Sequence, residues 1–185
     1  MLKGRLNRAW EWRAFNHDPS QGRSGSGYIY QAGHARPDVD YWDVNWMASD
    51  RFLAVCRHFN IGVDAIPLDV VLANGAAPGT QYFYLRWSAW ASVIDLQRSR
   101  CTLERDLTTG DVLHQKYFPA VPVLNLVEAF VVDGGKVPEA AAFLCMDLGH
   151  ALVCNEALRV TCQQAGLVGM ACEDITSYTR IDFWD

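Results

Sequence analysis

Three kinds of residue in this chain of 185 residues could do chemistry: histidines, cysteines and paired carboxylates. A Ser/His/Asp or Cys/His arrangement needs a nucleophile on a defined turn with a base in reach. No G-x-S-x-G occurs, and five histidines are scattered without flanking patterns, at His17, His34, His58, His114 and His150. Cys145 and His150 lie close in sequence, but that does not give catalytic geometry. We therefore predict no catalytic residue.

Three pairs of carboxylates could act as acid and base or hold a metal, namely Asp38/Asp40, Glu104/Asp106 and Glu173/Asp174. Most such pairs are solvated surface charges, so an electrostatic role is the preferred interpretation. The glycine-rich stretch at 22–27 lacks the G-K-S/T ending of a phosphate-binding loop and precedes an apolar segment. We therefore expect no cofactor.

The cysteines also give no metal signature. They stand at Cys56, Cys101, Cys145, Cys154, Cys162 and Cys172, and their spacing gives neither C-x-x-C nor a paired Cys/His zinc pattern. Residues 1–10 are basic without a following apolar run, so no secretory signal peptide is predicted. We expect reduced, mostly buried thiols, with metal binding as a minor alternative.

Composition and charge exclude several classes of protein. Apolar residues make up 50% of the chain, which is enough for one domain with its own core. No stretch approaches 18 consecutive apolar residues, so no membrane span is expected. Residues 1–36 carry six basic and two acidic residues, a balance of +4, which leaves −9 for residues 37–185 out of the total of −5. An acidic body disfavours nucleic-acid binding and favours a basic protein partner, in a protein predicted to be cytoplasmic.

Acidic residues and tryptophans occur together in predicted loops, as they do at protein interfaces. The predicted partner-binding residues are Asp38, Asp40, Trp42, Asp43, Glu104 and Asp106. Their selection depends on the expectation that these loops expose charge and aromatic rings.

The elements that must position these loops include a unit that occurs twice: a capped amphipathic helix, a stop residue and an apolar strand. In the first copy, residues 49–72, Ser49 is the N-cap, Asn60 lies in the stop, and Pro67 is expected near a sheet edge or at the start of a strand. In the second copy, residues 155–175, Asn155 is the N-cap and Gly166 the stop. A shift of 106 residues superposes the two copies, either through duplication or because both obey the same capping rules.

The remaining pattern is mainly β. Leu6, Trp10 and Ala14 have helical spacing, and residues 21–27 form a polar loop. Strands are predicted at 28–30, 82–87, 112–118 and 124–132, while residues 90–96 fit either a strand or a helical turn. We predict a single α+β domain with a mixed or antiparallel sheet and two main packed helices. Residues 1–45 would form an integrated N-terminal extension and residues 46–185 the main domain.

Three segments carry a resemblance to a known family: RFLAVCRHFNIGVDAIPLDV, YFYLRWSAWASVIDLQRS and FLCMDLGHALVCNEALRVTCQQAGLVGMACEDI. Within them, Val93-Ile94-Asp95 with Ser99 matches a V-I-D-x-x-x-S pattern, and residues 165–169 match A-G-L-x-G. In this order the segments resemble the Imm11 family of bacterial immunity proteins, formerly described as DUF1629. The resemblance covers residues 51–175.

The resemblance implies a non-enzymatic protein that binds and neutralises a cognate toxin, delivered between competing bacteria by secretion systems such as type VI. Without an export signal it would guard the cytoplasm, against a nuclease or a nucleotide- or protein-modifying enzyme. Two alternatives stay open: a hydrolase or transferase that uses Cys145, His150 or a carboxylate pair, and a regulatory adaptor of a secretion locus.

Overall fold

The structure is a computed structural model that describes residues 4–7, 18, 27–35, 39–42 and 46–180. Its helices are α1 (Asp50–His58) and α2 (Glu156–Gln164), with short 3-10 helices at Gly134–Lys136, Met146–Leu148 and Ile175–Ser177. The strands are β1 (Gly4–Leu6), β2 (Tyr28–Ala32), β3 (Tyr41–Trp42), β4 (Met47–Ser49), β5 (Val63–Val71), β6 (Tyr82–Trp87), β7 (Trp90–Ala91), β8 (Arg100–Leu103), β9 (His114–Gln115), β10 (Phe118–Pro122), β11 (Leu124–Ala129), β12 (Ala142–Cys145) and β13 (Ala151–Cys154).

The chain forms two compact units. The first unit contains Met1–Ser88, Ala140–Ala142 and Cys154–Ala171, and the second contains Ala89–Glu139, Phe143–Val153 and Cys172–Asp185. Each unit is therefore assembled from three separate stretches of the chain, and both helices belong to the first unit.

The first unit is built on a six-stranded sheet with the order β1-β2-β5-β6-β4-β3. Strands β2 and β5 pair in parallel, while the other neighbours pair antiparallel, so the sheet is mixed. Four strand spacings, about 19 Å in a flat sheet, separate β2 from β3. Yet the rings of Tyr30 and Trp42 are 5.7 Å apart between their centroids. The sheet is therefore strongly curled.

Helix α1 begins and ends as its sequence predicts. The Ser49 hydroxyl accepts a hydrogen bond from the backbone N–H of Phe52, the expected N-cap contact. The helix buries Phe52, Leu53, Val55 and Cys56 on one side. Asn60 ends it with φ 51°, and Ile61 N–H donates back to the Cys56 carbonyl at 2.9 Å. The cap and the buried face together explain why these residues form a helix.

Helix α2 repeats this design 106 residues later. Asn155 accepts from Leu158 N–H at 2.9 Å, and Gly166 ends the helix with φ 61°. Leu167 N–H donates to the Cys162 carbonyl at 3.1 Å, as Ile61 does to Cys56. Since the caps match position for position, the helical half of the repeat is confirmed.

The strand predicted after α2 is wrong. Residues 167–174 contain no strand, although they follow the stop at Gly166. None of these eight residues is buried, and Val168 is 53% exposed. A single strand needs a partner and an apolar face to bury, and this segment instead donates and accepts individual hydrogen bonds.

Strand β5 corrects the expectation for Pro67. The strand begins four residues earlier, at Val63, and lies inside the sheet between β2 and β6. Pro67 pairs with Phe83 of β6, while pairing with β2 starts one residue later, at Leu68. A residue without a backbone N–H is accommodated because one flank of the strand is unpaired at this point.

The second unit has its own core of seven buried residues, Val93, Ile94, Leu124, Val127, Phe130, Phe143 and Cys145. Strand β11 pairs with β8 and β10 with β9, in both cases antiparallel. Residues 90–96 contain the short strand β7, parallel to β12, followed by a single bridge from Ile94 to Val132. Residues 112–118 divide between β9 and β10, on either side of a turn.

The α+β class with a mixed sheet and two packed helices is confirmed, and a single domain fits the structure. At the N-terminus, Leu6 lies in strand β1 and not in a helix, because residues 4–6 pair with β2. Trp10, Ala14 and the loop at 21–26 fall outside the described residues. In the part of the chain that the structure describes, no helix has the length and apolar character needed to cross a membrane.

Candidate functional site

The six predicted contact residues fall into three groups. Asp38 and Asp43 lie outside the described residues. Asp40 and Trp42 belong to the first unit, and Glu104 and Asp106 to the second. The structure therefore does not bring the six residues into one unit.

Asp40 is buried, so the expectation that its carboxylate is exposed is wrong. Only 6% of the residue is accessible. One carboxylate oxygen accepts from the Ser49 hydroxyl at 2.6 Å, and the other from Val168 N–H at 2.9 Å and the Arg51 guanidinium at 3.2 Å. Arg51 also donates to the Ala165 carbonyl at 2.6 Å. Asp40 thus ties the start of α1 to the segment after α2, which is a structural role.

Trp42 is half-buried at the edge of the sheet. Strand β3 is the last strand in the order and, among the described strands, pairs with β4 alone. Its neighbour Tyr41 is buried, with its ring stacked on Phe52 at 4.7 Å. The part of Trp42 that stays accessible could still contact a partner, as the sequence predicts.

Glu104 and Asp106 belong to a turn that the backbone holds firmly. Residues 104–111, here called the acidic turn, contain three carboxylates and the single cation Arg105. Asp106 N–H donates to the Asp111 carbonyl at 2.9 Å, and Gly110 N–H donates back to the Asp106 carbonyl at 2.8 Å. The Arg105 guanidinium donates to the Gly110 carbonyl at 2.8 Å. Gly110 has φ 75°, which favours glycine.

The Asp106 side chain organises this turn. Its carboxylate accepts from Thr108 N–H at 2.8 Å and Thr109 N–H at 2.9 Å. These two backbone donors, Thr109 first, hold the pKa of Asp106 below its ordinary value of 3.8. The Glu104 carboxylate, by contrast, has no hydrogen-bond or ion-pair partner in the described part of the chain. The Asp106 carboxylate is therefore committed to the turn, whereas the Glu104 carboxylate is uncommitted within the described residues.

Leu107 stands at the tip of the acidic turn. Its relative exposure is 104%, so it is as accessible as in an isolated extended peptide. Sequence reasoning missed this residue because a leucine is normally assigned to a core. The turn signal at Thr109-Gly110-Asp111 could have pointed to it, since Leu107 lies two residues before that signal.

Charge separates the two units sharply. The second unit contains twelve acidic and six basic residues, a net charge of −6, whereas the first contains nine acidic and ten basic residues, a net charge of +1. Of the net charge of −9 on residues 37–185, −6 thus lies in the unit that carries the acidic turn and −3 in the first unit.

A second accessible feature of this unit is a group of aromatic rings. Trp90 lies 5.3 Å from Phe118 and 5.5 Å from His150, measured between ring centroids, and all three are half-buried. His150 has φ 68°, a left-handed conformation that is uncommon outside glycine. Short, partly exposed aromatic groups of this kind are typical of interfaces. The sequence identified Trp90 and His150 separately but not their contact.

Cys145, the thiol of the enzyme alternative, is unsuited to nucleophilic chemistry. Burial, together with the nearby Asp147 carboxylate, raises the pKa of the Cys145 thiol to about 12. A nucleophilic cysteine needs a lowered pKa and access to solvent, and Cys145 is fully buried. Asp174 caps a 3-10 helix through Thr176, whose hydroxyl and N–H lower its pKa. Among the described residues, no three His, Cys, Asp or Glu side chains are grouped to hold a metal ion.

Buried thiols predict a measurable pH dependence. Burial also raises the pKa of Cys56 to about 12, from an ordinary 9.0. A raised folded-state pKa stabilises the fold fully below pH 9, and this contribution is lost as the pH rises towards 12. We expect the free energy of unfolding to fall by about 1.4 kcal/mol per thiol for each pH unit above 9. Chemical denaturation at pH 9 to 11 measures this slope.

Two variants make that test specific. Cys145→Ala and Cys56→Ala are each expected to remove about one thiol's share of the slope. Equal slopes in wild type and Cys145→Ala would show that the Cys145 thiol is not responsible.

The motifs quoted above are structural. Ser99 Oγ accepts from Val131 N–H at 2.9 Å, and the Asp95 carboxylate accepts from the N–H groups of Gln97 and Arg98. In the A-G-L-x-G segment, Gly169 has φ 97° and packs against the backbone of Tyr41. These contacts give each of these residues a structural role.

Comparison with models of known protein families gives a match over most of the chain. The sequence model described as the immunity protein family Imm11 matches residues 11–177. The match starts 40 residues before the first of the three segments quoted above and takes in most of residues 1–45. No curated protein matches the chain.

Proposed function

Because this chain belongs to the Imm11 family of immunity proteins, we infer that it binds a cognate bacterial toxin tightly and thereby neutralises it. The family match over residues 11–177 carries this conclusion. A role without catalysis is supported by the buried, protonated state of Cys145 and by the structural use of Asp40 and Asp174.

The toxin is proposed to act in the cytoplasm after delivery by a secretion system of a competing cell. A nuclease is the class that we favour, since a basic active-site cleft would complement the net charge of −6 on the second unit. A nucleotide- or protein-modifying toxin with a basic surface would satisfy the same complementarity.

Glu104, Asp106 and Trp42 stay as proposed contact residues, together with Asp38 and Asp43. Glu104 is the strongest of these because it is only half-buried and its carboxylate is unpaired in the described residues. An uncommitted charge can meet a cation of the partner without breaking a contact within the fold. Asp40 is not proposed, because its carboxylate is buried and its oxygens are occupied.

Co-expression tests the proposed function. The reading frame directly upstream is expressed in bacteria with and without this full chain, and growth and co-purification are followed. We expect growth arrest without the chain, rescue with it, and a stable complex. A toxic upstream product that the chain neither rescues nor binds would contradict the proposal.

Charge reversal at Glu104 gives a sharper prediction. Glu104→Lys is expected to weaken toxin binding about 10-fold at 0.15 M salt and less at 0.5 M, mainly by slowing association. Surface plasmon resonance measures both rate constants. The matched control is Asp69→Lys, which changes charge equally at an exposed position of β5 in the first unit. Equal affinities of the two variants at low salt would remove Glu104 from the interface.

A further inference from the structure

We propose that Leu107 is the apolar anchor of the toxin interface, inserted by the acidic turn into an apolar recess whose rim is basic. This inference rests on the proposed function and adds to it the contact surface and the chemistry of the partner. It goes beyond the family, since the match to Imm11 names no contact residue.

The first argument is the contrast between exposure and order. Leu107 has a relative exposure of 104%, although the backbone around it is fixed by hydrogen bonds on both sides. The Asp106 carboxylate holds Thr108 and Thr109, and Asp111 N–H donates to the Thr109 hydroxyl at 3.3 Å. A leucine on a fixed turn contributes nothing to the core of this chain. It can bind without the entropy cost of ordering a loop, which is the condition for an efficient anchor.

The second argument is the arrangement of charge. Glu104, Asp106 and Asp111 flank Leu107 within the acidic turn, and Arg105 is the single cation among them. The Arg105 guanidinium is directed to the Gly110 carbonyl. An exposed leucine flanked by carboxylates fits an apolar recess of the toxin that has cations at its rim. The opposite charges steer the approach of the two proteins, and the leucine loses its water when it enters the recess.

The net charge of the units supports the same partner. The second unit carries −6, while the first carries +1, so a basic surface is attracted to the unit that bears the turn. A second copy of this chain does not fit this description, since both copies would bring the same negative charge.

Substitution of Leu107 tests the proposal with the toxin that co-purifies with the full wild-type chain. Leu107→Ala is expected to weaken binding about 10-fold to 100-fold, the loss for a buried leucine side chain. Leu107→Asp is expected to weaken binding further. Because the side chain is fully exposed, neither variant should lower the thermal unfolding midpoint. Matched controls are Leu96→Ala and Val137→Asp, at exposed apolar positions of the same unit outside the turn.

Two substitutions of Asp106 distinguish the contribution of the turn's conformation to binding from that of its charge. Asp106→Asn keeps an oxygen that can accept from Thr108 and Thr109, while Asp106→Ala removes it. We expect Asp106→Ala to weaken binding more than Asp106→Asn at 0.5 M salt, where charge is screened. Equal affinities of these two variants at high salt would show that the fixed turn is not needed and would overturn the anchor model.

The outcomes are distinguishable. Wild-type affinity in Leu107→Asp overturns this inference but leaves the immunity function standing. Failure of the wild-type chain to bind the toxic upstream product overturns both. Loss of binding in Leu107→Asp with retention in the two control variants supports the anchor.

Discussion

Asp147→Ala is expected to destabilise the protein by about 3–5 kcal/mol, because it leaves buried donors without an acceptor. Asp147 is 5% exposed and accepts from Val93 N–H at 2.6 Å and Ile94 N–H at 3.0 Å, both in the core of the second unit. It also accepts from the Ser92 hydroxyl at 2.7 Å. The free energy of unfolding of a typical domain is about 5–15 kcal/mol in total. We therefore expect a large fall in the denaturation midpoint.

Two further variants define the cause. Asp147→Asn places amide hydrogens where the wild type presents an acceptor. It is therefore also expected to destabilise the protein, although less than Asp147→Ala does. Asp133→Ala removes an exposed carboxylate that accepts from Gly135 N–H, and it is expected to cost about 1 kcal/mol or less. Urea denaturation followed by tryptophan fluorescence measures all three. A midpoint for Asp147→Ala equal to that of Asp133→Ala would refute the buried-acceptor explanation.

The second large effect is expected at Gly169. An added Cβ would lie 2.6 Å from the Tyr41 carbonyl oxygen and 3.0 Å from Val39 Cβ, at a φ of 97°. Gly169→Ala must therefore displace backbone, in the segment that donates from Val168 N–H to Asp40. We expect a loss of about 3 kcal/mol or more.

Gly166→Ala is the matched control in the same motif. Gly166 has φ 61°, but an added Cβ would meet nothing within 4 Å. The expected cost is about 1 kcal/mol, from backbone strain alone. Denaturation of both variants gives the difference, and equal losses would show that the contact with Tyr41 has no energetic weight.

The sequence predicted the helices well because capping is local. Ser49 and Asn155 each bond to an N–H three residues away, and Asn60 and Gly166 end the helices with left-handed backbone. The pattern of these few residues is enough to specify them. The strands were predicted where period or composition was strong, as at 82–87.

Non-local contacts set the limits of prediction. Strand β7 exists because Trp90 and Ala91 pair with β12, more than 50 residues away, so no local pattern could decide between strand and turn. Asp40 was expected at the surface because a carboxylate in a polar loop is usually solvated. Its burial depends on Val168, which is 128 residues away in sequence.

The acidic turn also has features that local sequence predicts and features that only the fold shows. The acidic turn itself was predictable from Thr109-Gly110-Asp111, and Glu104 and Asp106 were selected from composition. The turn signal indicates that Leu107 lies near a turn, but its relative exposure of 104% is seen only in the folded structure. The concentration of negative charge in the second unit also required the structure, since that unit is built from three separate stretches.

The central claim is that this chain neutralises a toxin by binding it. The most direct measurement is the activity of the purified cognate toxin, titrated with the purified full-length chain. Neutralisation by tight binding predicts that activity falls linearly and is abolished at a fixed molar ratio, without any chemical change in the toxin. Full toxin activity at a large molar excess of the chain would contradict the account.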